Sequence, residues 1–185
     1  MRILTLTVSS LLTLLIASSG LTNSASAETI SEMEYDTGMN QIDVTYNADK
    51  ASCEDFSGNK KDICLEQAKT IKSTSQSVLE ARYKGTNTAY LAAAREKANG
   101  NYNVSEQVCD DYAGDTKALC LAKAKAERDS ALADIEANRK VYEARKEATD
   151  KKVEADYTVA LKKCDMLSGK SKDTCENNAK KLYKQ

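Results

Sequence analysis

Cys53-Glu54-Asp55-Phe56-Ser57-Gly58-Asn59-Lys60-Lys61-Asp62-Ile63-Cys64 recurs as Cys109-Asp110-Asp111-Tyr112-Ala113-Gly114-Asp115-Thr116-Lys117-Ala118-Leu119-Cys120, and again as Cys164-Asp165-Met166-Leu167-Ser168-Gly169-Lys170-Ser171-Lys172-Asp173-Thr174-Cys175. These six are all the cysteines of the 185-residue chain, and ten residues separate the members of each pair. The agreement extends beyond the sulfurs. A tyrosine stands seven residues ahead of the first cysteine (Tyr46, Tyr102, Tyr157) and an acid directly after it (Glu54, Asp110, Asp165). Gly58, Gly114 and Gly169 follow five after the first cysteine, and Lys61, Lys117 and Lys172 eight after it. Ala68-Lys69, Ala124-Lys125 and Ala179-Lys180 come after the second. The copies, about 46–69, 102–125 and 157–180, start 56 and then 55 residues apart, so repetition frames the architecture.

The amino terminus predicts where this unit works. Arg2 gives a short positive region, residues 3–21 are mostly apolar, and Ala25-Ser26-Ala27 fits a small-residue cleavage site. Residues 1–27 therefore read as a signal peptide, cleaved after Ala27, with 28–185 as a single elongated helical domain. A membrane anchor is the alternative, but Thr5, Thr7, Ser9, Ser10 and Thr13 dilute the apolar run that a span requires. In an oxidising compartment, an even cysteine count is read most simply as disulfides. Pairing within each copy keeps the three units equivalent, which predicts Cys53 with Cys64, Cys109 with Cys120 and Cys164 with Cys175. Metal binding or thiol redox chemistry would be the rival. With no Cys-x-x-Cys and no histidine, the sequence argues against both.

Between the pairs the chain reads as helix. It has no proline, and from Asp115 to Ser168 there is no glycine while Ala, Lys, Glu, Arg and Leu predominate, all strong helix formers. One face of this stretch carries Leu121, Ala124, Ala131, Leu132, Ile135, Tyr142, Val153, Tyr157, Leu161 and Cys164, interrupted by Arg128, Asn138 and Lys146. Glu136 with Lys140 and Glu147 with Lys151 have the favourable Glu-before-Lys spacing.

Each cysteine unit then becomes a corner between antiparallel helices. The first cysteine lies in a closing helical turn, the glycine takes the left-handed conformation that ends a helix, and Asn59, Asp115 or Ser171 caps the next. The tyrosines, two turns before the clasp, are expected to pack beside it. Three corners imply four helices, about 30–57, 60–113, 115–168 and 171–184, with breaks or kinks expected at Gly85 and Gly100. The expected fold is all-α: long antiparallel hairpins with three clasped corners and a four-helix region tapering to a two-helix stalk. In that arrangement the first and last helices cover the end holding the first and third corners, and Cys109–Cys120 closes the stalk.

Residues 28–58 carry eight acids and one lysine, whereas residues 140–185 carry twelve bases and eight acids. If the first and last helices meet, these charges neutralise each other; otherwise they are two docking faces. Over residues 28–185, 26 bases oppose 28 acids, so bulk attraction to nucleic acid or acidic lipid is not expected. Without histidine or a Gly-rich phosphate loop, the sequence offers no catalytic, metal or cofactor constellation.

The core Cys-Asp-x-Leu-Ser-Gly-x-x-Lys-Asp-x-Cys, as it stands at Cys164–Cys175, together with the Ala/Lys/Glu-rich helix around it, resembles periplasmic Cys-repeat helical proteins of Gram-negative bacteria, often labelled TolA-like cell-envelope proteins. A fainter similarity is to PsiF-repeat proteins. The resemblance implies a periplasmic address and a helical fold, with no reaction or binding residues to transfer. The expected function is a non-enzymatic scaffold or spacer, or an interaction module that binds other envelope proteins. The alternative is a small periplasmic chaperone whose unfolded clients lie between splayed helices. A cleft opened at Gly85 or Gly100 would favour the chaperone.

Overall fold

The computed structural model describes residues 29–184; the expected signal peptide lies outside the described residues. The chain is all-α, with helices α1 (Glu32–Ser52), α2 (Asn59–Lys84), α3 (Asn87–Cys109), α4 (Gly114–Cys164) and α5 (Gly169–Tyr183). One turn of 3-10 helix, Cys53–Asp55, closes α1. Three disulfides link Cys53 to Cys64, Cys109 to Cys120 and Cys164 to Cys175, each with its Cα atoms 5.6 Å apart.

Among the described residues five helices replace the four expected, because the 60–113 span folds back on itself. Gly85 adopts φ 61°, its N–H closing on the Ala81 carbonyl to end α2, and the Thr86 hydroxyl accepts from the Ala89 N–H to start α3. Gly100, expected as a second break, instead lies buried within α3. There the Thr70 hydroxyl of α2 donates to the Gly100 carbonyl at 3.2 Å. A glycine inside a helix need not break it when a facing helix supplies the packing.

The extra turn changes the order of the corners. Among the described residues each helix packs only on its neighbours in the chain: α1 on α2, α2 on α3, α3 on α4 and α4 on α5. Contacts across the pairs fix the directions. Tyr35 donates to Glu80 and Lys72 pairs with Asp43 between α1 and α2, and Arg95 pairs with Glu136 between α3 and α4. The first and second corners therefore share an end, where Asn59 reaches Asp111 at 2.8 Å. The expected pairing of the first and third corners is corrected. So is the expected cover of that end by the first and last helices, since α1 and α5 do not touch. A four-helix region does taper to a two-helix stalk. Its members, however, are α1, α2, α3 and the first part of α4, and the stalk of α4 with α5 is closed by Cys164–Cys175.

At 51 residues, α4 is about 76 Å long. Its apolar seam is used in two pieces. Ala124 and Ile135 are buried where α3 lies, and Cys164 where α5 lies. Residues 140–152 between them are exposed throughout, Tyr142 and Val141 included. The helix holds there by its own charges: Arg139 bridges Glu136 and Glu143, Lys146 pairs with Asp150, and Lys151 with Glu147 at 2.6 Å. The hydrophobic core elsewhere is thin and mostly alanine, with Ala68, Ala81, Ala93, Ala98, Ala124 and Ala179 among its members, which permits close approach of slender helices.

Candidate functional site

The repeated corner is the most elaborated feature of the molecule, and the same contacts recur in all three copies. Among the described residues Cys53, Cys109 and Cys164 are the largest fully buried side chains. The residue three after each, Phe56, Tyr112 or Leu167, donates its N–H to that cysteine's carbonyl at 3.0 to 3.1 Å, closing the turn. Gly58, Gly114 and Gly169 then take φ of 59°, 56° and 55°, a conformation with little steric cost only for glycine. They launch the second helix rather than ending the first, so the expected order is corrected. Nor do Asn59, Asp115 and Ser171 act as side-chain caps, because the cap positions are Gly58, Ala113 and Ser168.

Lys61, Lys117 and Lys172 each reach back to the acid that follows the first cysteine. The distances are 2.7 Å to Glu54, 2.7 Å to Asp110 and 2.9 Å to Asp165. The Lys172 ammonium holds the Asp165 carboxyl below its ordinary range. The constant spacing of seven between acid and lysine is the signal in the sequence for this ion pair. Such pairs are exposed and individually weak. Their effect is to tie the turn across the same gap that the disulfide closes.

Tyr46, Tyr102 and Tyr157 are half-buried, and each packs on the residue eight after the second cysteine of its own corner. Lys72 lies 4.7 Å from the Tyr46 ring centre, Arg128 lies 4.3 Å from that of Tyr102, and the Tyr157 and Tyr183 rings are 6.0 Å apart. The tyrosines thus fix the register of each hairpin two turns beyond the clasp. Ala68, Ala124 and Ala179, all buried, occupy the intervening turn on the second helix.

No constellation for chemistry emerges around these corners. Among the described residues no group of three or more His, Cys, Asp or Glu is placed to hold a metal ion. Glu136, held down to about 2 chiefly by its hydrogen bonds with Arg139, and Asp129, held low by Lys125 and Arg128, belong to ion pairs along helix surfaces. The glycines do not open a cleft. A methyl group on Gly85 would lie 2.4 Å from the Thr29 methyl, and one on Gly100 would lie 2.5 Å from that of Thr70. The larger surface depressions are grooves between neighbouring helices. One of about 460 Å³ runs between α1 and α2, lined by Ile30, Met33, Gly38, Leu79 and Arg82. No helix among the described residues is long and apolar enough to cross a membrane. The acidic first segment and the basic last segment, expected to neutralise each other, are not in contact among the described residues.

No family model, no curated protein and no solved structure matches this chain.

Proposed function

We propose that this is an exported, non-enzymatic helical spacer of the bacterial periplasm, delivered by residues 1–27 as a cleaved signal peptide. It holds two disulfide-clasped assemblies apart and presents their helix faces to other proteins of the cell envelope. The observation that carries this reading is the wholly exposed stretch 140–152 of α4, a lone helix between the α1–α4 layer and the α4–α5 hairpin. A self-supporting helix is stiff over this length and conveys distance without burying surface. Three disulfides suit an oxidising compartment, where they also stabilise a chain whose core is too thin to do so alone.

Photo-crosslinking in cells, with the reactive group at Tyr142 or at exposed Leu182, tests the proposal. A few discrete envelope proteins captured from one or both positions would support it. A chaperone remains the second reading, favoured by the α1–α2 groove and by the exposed Met33 that lines it. Capture of a broad smear of clients, together with suppression of client aggregation by the purified chain, would select the chaperone instead.

A further inference from the structure

α1 and α5 end a serial array, and each lacks a neighbour that its counterpart in the repeat possesses. α3 is the counterpart of α1, since both run into a first cysteine; α2 is the counterpart of α5, since both carry a second. α2 and α3 lie side by side. Asn59 joins them by donating its amide to the Gln107 carbonyl and to Asp111 Oδ1, both at 2.8 Å, and the Thr70 hydroxyl rests on the Gly100 carbonyl. Counting from the cysteines carries this contact to the two outer edges. Asn59 stands five before Cys64, as Lys170 stands five before Cys175; Asp111 stands two after Cys109, as Asp55 stands two after Cys53. Thr70 and Lys181 are each six after a second cysteine, and Gly100 and Val44 each nine before a first. Asp55, Lys170 and Lys181 are exposed, and Val44 is 62% exposed.

We infer that copies of this chain assemble head to tail, with α5 of one copy beside α1 of the next, antiparallel and in the register of α2 beside α3, so that Lys170 pairs with Asp55 and the Lys181 stem covers Val44. A lysine in the place of Asn59 converts a neutral donor into a charged one facing a carboxylate. The wider charge agrees: the segment 28–58 has eight acids to one lysine, the segment 140–185 twelve bases to eight acids, and among the described residues the two do not meet within a chain. The inference also explains the doubled acids. In the second corner Asp110 serves its own Lys117, while Asp111 serves Asn59 of the neighbouring hairpin. The first corner keeps the same pair, Glu54 for Lys61 and Asp55 for the next copy. The third corner, whose first helix has no α2-like helix beside it, carries Met166 in that place. Because the joined surfaces differ, the contact cannot pair two copies symmetrically and adds copies in series, into a ring or an open chain according to the rotation between them.

Sedimentation of the mature, oxidised chain over a range of concentrations tests this. At low salt the average mass should climb progressively past that of a dimer, and salt should reverse the climb. Asp55→Lys or Lys170→Glu alone should weaken association about tenfold, and the two reversals combined in one chain should recover it. A chain that stays monomeric to about 1 mM at low salt, where electrostatic contacts are least screened, overturns the assembly. Association that survives either single reversal, or that the combined reversal fails to recover, overturns this register.

Discussion

Thr70 and Gly100, thirty residues apart, meet where α2 and α3 cross: the threonine hydroxyl donates to the glycine carbonyl at 3.2 Å, and both residues are buried. The missing side chain is what admits the contact, for a Cβ on Gly100 would stand 2.5 Å from Thr70 Cγ2. What looks in sequence like a helix breaker is a point of close helix-to-helix contact.

Gly100→Ala should therefore destabilise the chain, although alanine is the better helix former. Overpacking at such a contact costs about 1–3 kcal/mol, against a propensity gain of about 1 kcal/mol. Chemical denaturation should show a net loss, and pairing the change with Thr70→Ser, which removes the opposing methyl, should recover part of it. A stabilised single variant would contradict the packing described.

Removing one clasp should act locally. Among the described residues α5 packs on α4 alone, so Cys164→Ser with Cys175→Ser takes away about 3 kcal/mol of constraint from an element with little other support. Hydrogen exchange should accelerate throughout α5 while α2 and α3 keep their protection. Uniform acceleration along the chain would mean that the hairpins are not independent.

The lysine ties are a lesser matter. Lys172 is 38% exposed and Asp165 47% exposed at the side chain, so Lys172→Ala should lower the melting temperature only slightly. A melting-temperature series in increasing salt should narrow the difference from the parent chain. Loss of folding on this change would assign the lysine a larger part than an exposed ion pair can have.

Acid should loosen the ion-paired stretch of α4. Glu136 titrates at about 2 when folded, against an ordinary 4.5, because Arg139 hydrogen-bonds its ionised form. A depressed folded-state value gives stability that is complete above the unfolded value and disappears as pH falls through the folded one. Helicity measured by far-ultraviolet circular dichroism should thus decline as pH drops from 4.5 towards 2, and Glu136→Gln should flatten that decline. A decline already under way near neutral pH would point to other groups.

Much of this architecture was legible because its determinants are local. The cysteine spacing, the glycine five positions on and the proline-free runs between them specify helices and corners through short-range chemistry. The α4 boundaries, expected near 115–168 and observed at Gly114–Cys164, illustrate this. What was not legible depended on long-range competition. Gly85 and Gly100 look alike as isolated glycines, yet one ends a helix and the other accepts the Thr70 methyl, and only the partner helix decides which. That single turn reverses the order of the corners and separates α1 from α5. The apolar stripe of α4 likewise suggested one continuous seam, because sequence periodicity does not reveal that α3 ends before α5 begins.

Small-angle X-ray scattering of the mature chain, kept dilute and in enough salt to hold it monomeric, tests the spacer most directly. A 51-residue α4 spanning two separate assemblies predicts a maximum dimension near or above ~76 Å and an elongated distance distribution. A radius of gyration close to the ~15 Å of a compact domain of this length would contradict it, because α4 would then have to be folded back on itself.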